Sequence, residues 1–289
     1  MKKKKIAAFD IVVYSIAIFL LAIVLYPLIV VLSSSVSDPK LVAKGEVIFL
    51  PKGFNLKGYV SVFGDKNLMT GYANTIYYTV AGTLINLIVT MPAGYVMSKT
   101  HVHGNKFIIG MFMVTMYFSG GLIPSFLVYS SLGLYNTRWA LLLPGAFSVY
   151  NAIVCRSFFA AIPKDLEESA YLDGCSVIKS FTRIVMPLSK ALLGVMVLYF
   201  AVGHWNAYFN AMVYIKDDSM MPLQVFLRRI LVLAKSLGSA DDEMSVTYME
   251  REALIRYAVI VVSSLPLMII YPFLQKFFNK GVLIGSVKG

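Results

Sequence analysis

Acidic and basic residues are absent from six long stretches of the chain: 11–37, 67–98, 107–137, 139–155, 191–215 and 257–275. A helix needs about 20 apolar residues to cross the hydrocarbon core, so each stretch predicts one crossing. The fourth is the shortest, but Ser157 to Ile162 continue it beyond Arg156, whose long side chain is expected to snorkel to the interface. The pattern predicts an all-α integral membrane chain whose residues 1–289 form one transmembrane domain, with spans at about 11–34, 72–98, 107–130, 139–162, 190–214 and 256–275.

Flanking charge orients these spans. Lys2, Lys3, Lys4 and Lys5 precede the first one, which is too long and uninterrupted for a cleavable signal and is read as retained. The positive-inside rule puts this basic run in the cytoplasm, and even parity puts the C-terminus there with Lys276, Lys280 and Lys288. Segments 35–71 and 215–255 are then external and 163–189 is cytoplasmic. The two long external segments also carry ten acidic residues. Composition agrees: 58% of residues are hydrophobic and 14% charged, with a mean hydropathy of +0.73, against about 25% charged in soluble domains. The net charge of +11 is explained by membrane-flanking lysines and arginines rather than by nucleic acid. Cys155 and Cys175 both fall at the cytoplasmic face and are expected to be small buried hydrophobes, not a disulfide. Pro27, Pro92, Pro124, Pro144, Pro266 and Pro272 predict kinked spans, and Gly82, Gly94, Gly110, Gly120, Gly121, Gly145 and Gly203 predict close helix approach. No internal repeat is visible.

The most informative stretch is Pro163-Lys164-Asp165-Leu166-Glu167-Glu168-Ser169-Ala170-Tyr171-Leu172-Asp173-Gly174, followed by Ile184-Val185-Met186-Pro187. Asp165 and Glu168 read as an N-cap with its capping-box partner. Gly174 suits the left-handed turn that ends the helix, and Val177 or Ile178, Phe181, Ile184 or Val185 and Leu188 recur at helical spacing up to Pro187. Two short helices joined at an Asp-Gly elbow are expected. A helix lying on lipid headgroups would need a basic polar face, and Glu167, Glu168 and Asp173 argue against it.

This elbow resembles the EAA loop of ABC importer permeases, roughly Glu-Ala-Ala, then Asp-Gly, then Ile-x-x-Pro. Glu168, Ser169, Ala170, Asp173, Gly174, Ile184 and Pro187 match in order and spacing, with Ser169 the one small-for-small departure. Phe118-Ser119-Gly120-Gly121-Leu122-Ile123-Pro124, Leu132-Gly133-Leu134-Tyr135-Asn136-Thr137, Pro222-Leu223-Gln224 and the terminal Gly285-Ser286-Val287-Lys288-Gly289 resemble the branch of maltose-permease-like importers associated with uronate-bearing or complex polysaccharide fragments. The resemblance implies the type I importer fold and a coupling role for the elbow. It also implies a homologous second permease, two ATP-binding subunits, an extracytoplasmic solute-binding protein and a carbohydrate substrate, in the cell membrane of a prokaryote. No Gly-Lys dipeptide occurs, hence no Walker A loop, so ATP and Mg belong to the partner ATPase chains and none is expected here.

Membrane-embedded polar residues point to a solute path. The fifth span holds His204, Trp205, Asn206, Tyr208 and Asn210. His204 with Tyr208, and Asn206 with Asn210, are four apart and are expected to share helical edges. They suit the hydroxyls and apolar face of a sugar, and equally interhelical hydrogen bonds and an interfacial aromatic belt. Tyr77, Tyr78 and Asn86 of the second span are further such groups. Arg228 and Arg229, beside apolar residues at helical spacing in segment 215–255, suit contact with a binding protein or an acidic sugar, and also a solvated face. His101 and His103 lack the companions a metal site needs, and no nucleophile, base and orienter can be assembled, so no catalytic residue is expected. The rival, an ion-coupled secondary transporter, would require ionisable groups within the spans and leaves the acidic elbow without a role.

Overall fold

The computed structural model describes residues 8–100, 102–237, 255–272 and 275. Lys2 to Lys5, His101, Lys276, Lys280, Lys288 and the Gly285–Gly289 motif lie outside the described residues. Among the described residues the chain is helical, with no strand. It divides into two compact units, the first comprising residues up to Met69 with Leu227–Leu265, the second Thr70–Phe226 with the residues from Pro266 onward.

In the first unit, Ala8–Ser35 is one continuous helix of 28 residues with Pro27 inside it. It is apolar on every side, and Phe9 through Leu28 are exposed or nearly so. A helix uncovered and apolar all round needs an apolar solvent, which here is lipid or another membrane chain. Its end is tied down by serines: Ser33 Oγ donates to Phe49 O (2.7 Å), Ser37 Oγ to Ser33 O (2.6 Å), and Ser35 Oγ pairs with Tyr59 Oη (2.8 Å). Short helices Pro39–Ala43, capped by Asp38, and Lys57–Gly64 follow. The Asp65 carboxylate accepts from the amides of Asn67 and Leu68 (2.8 and 3.1 Å) at the start of Lys66–Ser98, 33 residues long, most of which belongs to the second unit.

In the second unit the charge-free runs are less regular than the sequence predicts. Asn105–Tyr117 and Leu122–Ser131 meet at a 115° bend. The run 139–162 breaks at Pro144-Gly145 into Trp139–Leu142 and the 12-residue helix Val149–Ala160. Lys190–Trp205 stops at Asn206, and Phe209–Tyr214 begins afresh. Ahead of it, Val177–Leu188 meets Lys190–Trp205 at 85°. Helix Leu223–Leu237 belongs to this unit up to Phe226 and to the first unit from Leu227, and Ile255–Pro272 belongs to the first up to Leu265 and to this one from Pro266. The core is formed by Met91, Tyr95, Cys155, Phe159, Val185, Leu192, Met196 and Phe200.

Several expectations change here. Of the seven glycines, Gly82 and Gly94 sit where a β-carbon would collide with the described residues: one at Gly94 would lie 2.4 Å from Cys155 Cβ, one at Gly82 2.4 Å from the His204 ring. Gly110, Gly121, Gly145 and Gly203 have open space, and Gly120 meets only Pro124 at 3.8 Å. Gly121 instead supplies a positive φ (88°) at the 115° bend. Arg156 does not simply snorkel, for its Nε donates to Met97 O (3.1 Å), a carbonyl near a helix end that lacks an intrahelical donor. Cys155 is fully buried, whereas Cys175 is only half-buried because it follows the elbow glycine at the surface; both are free thiols.

Candidate functional site

The elbow begins at Asp165–Leu172. Lys164, not Asp165, occupies the N-cap position, and no side chain caps the helix. The expected capping box is absent: Asp165, Glu167 and Glu168 all lie in the first turn, where carboxylates stabilise the helix through its dipole. The C-terminus closes as a Schellman motif. Gly174 N–H donates to Tyr171 O (3.0 Å), Cys175 N–H to Ala170 O (2.9 Å), and Gly174 adopts φ 77°. The return helix Val177–Leu188 widens to a π-turn over Phe181–Val185, with Met186 N–H reaching Phe181 O, directly before Pro187.

What fastens the elbow is Glu167, which is 7% exposed. Tyr95 Oη donates to its Oε2 (2.8 Å), and the Lys99 ammonium, at the end of Lys66–Ser98, donates to Oε1 (2.6 Å) and also reaches Oε2. Lys99 lies 4.2 Å over the Tyr95 ring, which packs tilted on Phe181 at 4.9 Å and edge-on to Phe159 at 5.9 Å. Ala170, one turn on from Glu167, is buried on the same side. Glu168, Ser169, Asp173, Gly174 and Pro187 face outward. Beside them stand Leu172 (90% exposed), Ile178 (76%) and Val177, an apolar patch at the tip of an acidic turn.

A second feature is a cavity of about 300 Å³ lined by Asn86, Ser148, Asn151, Tyr199, His204 and Asn210 among others. Its geometry follows from the break at Pro144-Gly145. Asn86 donates through Nδ2 to Gly145 O (2.5 Å) and Ala146 O (3.0 Å), carbonyls that the break leaves without helical partners. Its Oδ1 therefore accepts from His204 Nε2 (2.7 Å), which fixes that nitrogen as the protonated one. The imidazole fits because Gly82 has no side chain. Asn151 is 2% exposed, and its Oδ1 has no partner among the described residues.

The fifth-span cluster is not brought together as predicted. Helix Lys190–Trp205 ends between His204 and Tyr208, and Asn206 caps that end while Asn210 belongs to Phe209–Tyr214, so four-residue spacing no longer places either pair on one edge. His204 and Asn210 line the cavity. Trp205 is buried against the edge of Tyr72 (5.8 Å), Asn206 turns back on Val202 O (3.0 Å), and Tyr208 sits in the break at the start of Phe209–Tyr214. Tyr78, also a lining residue, donates to Met220 O (2.8 Å), and Asn74 Nδ2 to Ser219 O (2.7 Å), while Arg138 donates to Asn74 Oδ1 (3.1 Å) and lies 5.0 Å over Tyr77. Ser148, Asn151 and Tyr199 were not signalled by the sequence; Glu167 was seen only as a surface charge.

No protein-family profile matches the chain. It is 41% identical to Protein LplC of Bacillus subtilis over 93% of this chain and 90% of that one. It is 36% identical to the polygalacturonan/rhamnogalacturonan transport system permease protein YtcP of the same organism, over 97% and 98%. A chain in the crystal structure of a bacterial ABC transporter involved in import of the acidic polysaccharide alginate superposes with a TM-score of 0.85 at 32% identity, covering 96% of this chain and 99% of that one. The chain belongs to the ABC sugar and polysaccharide transport permeases. The permease is a non-catalytic membrane subunit, and the ion-coupled alternative falls away. Arg228 and Arg229 of the permease are exposed on Leu223–Leu237, whose Leu223, Val225, Phe226 and Leu227 are buried.

Proposed function

We propose that this permease forms half of the membrane path of an ATP-driven, binding-protein-dependent importer of oligosaccharides, with acidic polysaccharide fragments as its cargo. Three continuous apolar helices and two bent pairs support six crossings, with the broken run 139–162 as the sixth; the basic run Lys2 to Lys5 and even parity then put both termini in the cytoplasm. A homologous permease completes the path. Two ATP-binding subunits carry ATP and Mg, and an extracytoplasmic binding protein delivers the sugar, with Arg228 and Arg229 in its contact surface. The acidic cargo rests on the names of the relatives, which concern polygalacturonan, rhamnogalacturonan and alginate.

One observation carries the coupling role: an exposed apolar tip is presented by a helix that is anchored from behind. Leu172, Val177 and Ile178 stand out beside Asp173 and Gly174, while Glu167 is bonded to Tyr95 and Lys99 of the long second span. A docking ATPase would meet Glu168, Ser169, Asp173, Gly174 and the face near Pro187, with Ala170 packing the helix beneath. Closure of the ATPase would push the tip, and the Glu167 anchor would pass that displacement to the second span.

The test is recovery of partners from gently solubilised membranes with the tagged chain, by mass spectrometry, for wild type and for Asp173→Lys with Gly174→Trp. A Walker-type ATPase should co-purify with wild type and be lost with the variant. Equal recovery from both would remove the elbow as the docking site.

A further inference from the structure

We propose that the cavity around Asn86, Ser148, Asn151, Tyr199, His204 and Asn210 is a sugar-ring subsite held by this chain itself, reading the hydroxyls of the passing oligosaccharide and not its carboxylates. The inference rests on the carbohydrate reading above.

The cavity volume of about 300 Å³ is at the lower end of the range found for small-molecule sites, about 300–1,000 Å³. That suits one ring of a longer cargo. Among the described residues its lining contains no Asp, Glu, Lys or Arg. A uronate carboxylate brought here would find no cation, so the groups recognised must be neutral. Asparagine, serine and histidine side chains offer both donors and acceptors, which is what a ring of hydroxyls needs. Tyr199 and Phe200, also in the lining, supply flat apolar faces for the C–H side of the ring.

Asn151 gives the site its direction. It sits at the first turn of Val149–Ala160, its backbone N–H donates to Ser148 Oγ (3.4 Å), and it is 2% exposed. Its Oδ1 nonetheless lacks a donor among the described residues. A buried amide oxygen left unpaired is destabilising, and such groups in native proteins are normally matched by a ligand or water. A sugar O–H entering the cavity supplies the missing donor. Asn86 and His204 form the opposite kind of element: their mutual bond and the two carbonyls held by Asn86 use the facing atoms internally, so this pair is a rigid wall and not an adaptable contact. Specificity therefore falls to Asn151 and Asn210.

The complete transporter, reconstituted in proteoliposomes with its partner permease, ATP-binding subunits and binding protein, is assayed with short oligogalacturonates and oligoalginates. Asn151→Ala and Asn210→Ala should each raise the KM for import about three- to tenfold, the loss of one neutral hydrogen bond, with a smaller change in kcat. Thr115→Ala, whose exposed hydroxyl donates to Phe112 O of its own helix (2.7 Å) away from the cavity lining, should import like wild type. In a background of Cys155→Ala and Cys175→Ala, the Asn210→Cys thiol should be labelled by a methanethiosulfonate reagent and protected by sugar during turnover. Wild type that imports neither sugar would overturn the cargo reading and this proposal with it. Wild type that imports, with unchanged KM in both variants and equal labelling with and without sugar, would leave the cargo reading standing and show the cavity to hold water only.

Discussion

Replacing Glu167 by glutamine keeps the shape of the side chain and removes its charge, which separates the ion pair from the packing around it. The Lys99 and Glu167 side chains are 19% and 9% exposed, so the pair is neither freely solvated nor dry. Exposed pairs contribute about 0–1 kcal/mol, and loss of one partner of a fully buried pair is destabilising by about 3–5 kcal/mol. Partial exposure of the lysine, whose ammonium can move toward water, places Glu167→Gln between these, at about 2 kcal/mol. At about 1.4 kcal/mol per tenfold, the detached elbow becomes about 30 times more populated. Lys179 and Arg183 are exposed on the return helix, so trypsin cleavage there reports that population when opening is fast relative to cutting. Cleavage should accelerate about 30-fold in Glu167→Gln, and sugar imported per ATP hydrolysed should fall. Lys99→Met, which strands the carboxylate, should act similarly. The two together should recover much of the loss, with a coupling of about 1–2 kcal/mol. Additive effects, or a Glu167→Gln cleavage rate within about twofold of wild type, would refute the anchor.

Four further outcomes follow. Gly82→Ala places a β-carbon 2.4 Å from the imidazole of His204, so it should displace that ring and lower the thermal aggregation midpoint of the purified chain, by the equivalent of about 1–3 kcal/mol for an overpacked site. Asn86→Leu removes the donor to Gly145 O and Ala146 O and the Oδ1 acceptor of His204 Nε2 and should destabilise by about 3 kcal/mol in the same assay. Gly174→Ala forces a β-carbon into φ 77°, at a cost of about 1–2 kcal/mol, and should weaken recovery of the ATPase without altering membrane insertion. The Ser219 N–H beside the exposed Asp217 holds its carboxyl below the ordinary value of 3.8. A lowered folded pKa means this turn is fully stabilised above the ordinary value and loosened as pH falls through the lower one, so Ser219 amide exchange, corrected for its intrinsic pH dependence, should lose protection only in that acid window.

Hydrophobic runs predicted where the chain is apolar, and the helices Ala8–Ser35, Lys66–Ser98 and Ile255–Pro272 follow them closely. Where the runs break, local chemistry decides, and an average over a window cannot see it. Two breaks carried a signal that the length argument overrode: the glycine pair Gly120-Gly121 at the 115° bend, and Pro144-Gly145 in the fourth run. The third, after Trp205, has no proline or glycine. It is sustained by Asn206, whose backbone and side-chain amides both return to Val202 O (3.1 and 3.0 Å). Because that break was unreadable, the edges drawn through His204, Asn206, Tyr208 and Asn210 could not hold, and Asn210 reaches the cavity by a different route from the one the spacing implied.

The elbow shows the converse limit. The Asp-Gly motif predicts two helices about a turn, as found, but the Glu-Ala-Ala pattern marks Glu168, which faces outward, and not Glu167, which is buried. A physical signal was present. Glu167 and Ala170 are three apart, hence on one face, and a small apolar residue at the second position marks that face as the packed one. A carboxylate on a packed face requires a cation, and the first one after the charge-free run of the second span is Lys99, at that helix's end. Without the Glu167 anchor, a force on Leu172 and Ile178 would bend a loosely held hairpin, and the second span, which carries Asn86 and Tyr78 at the cavity, would not register it.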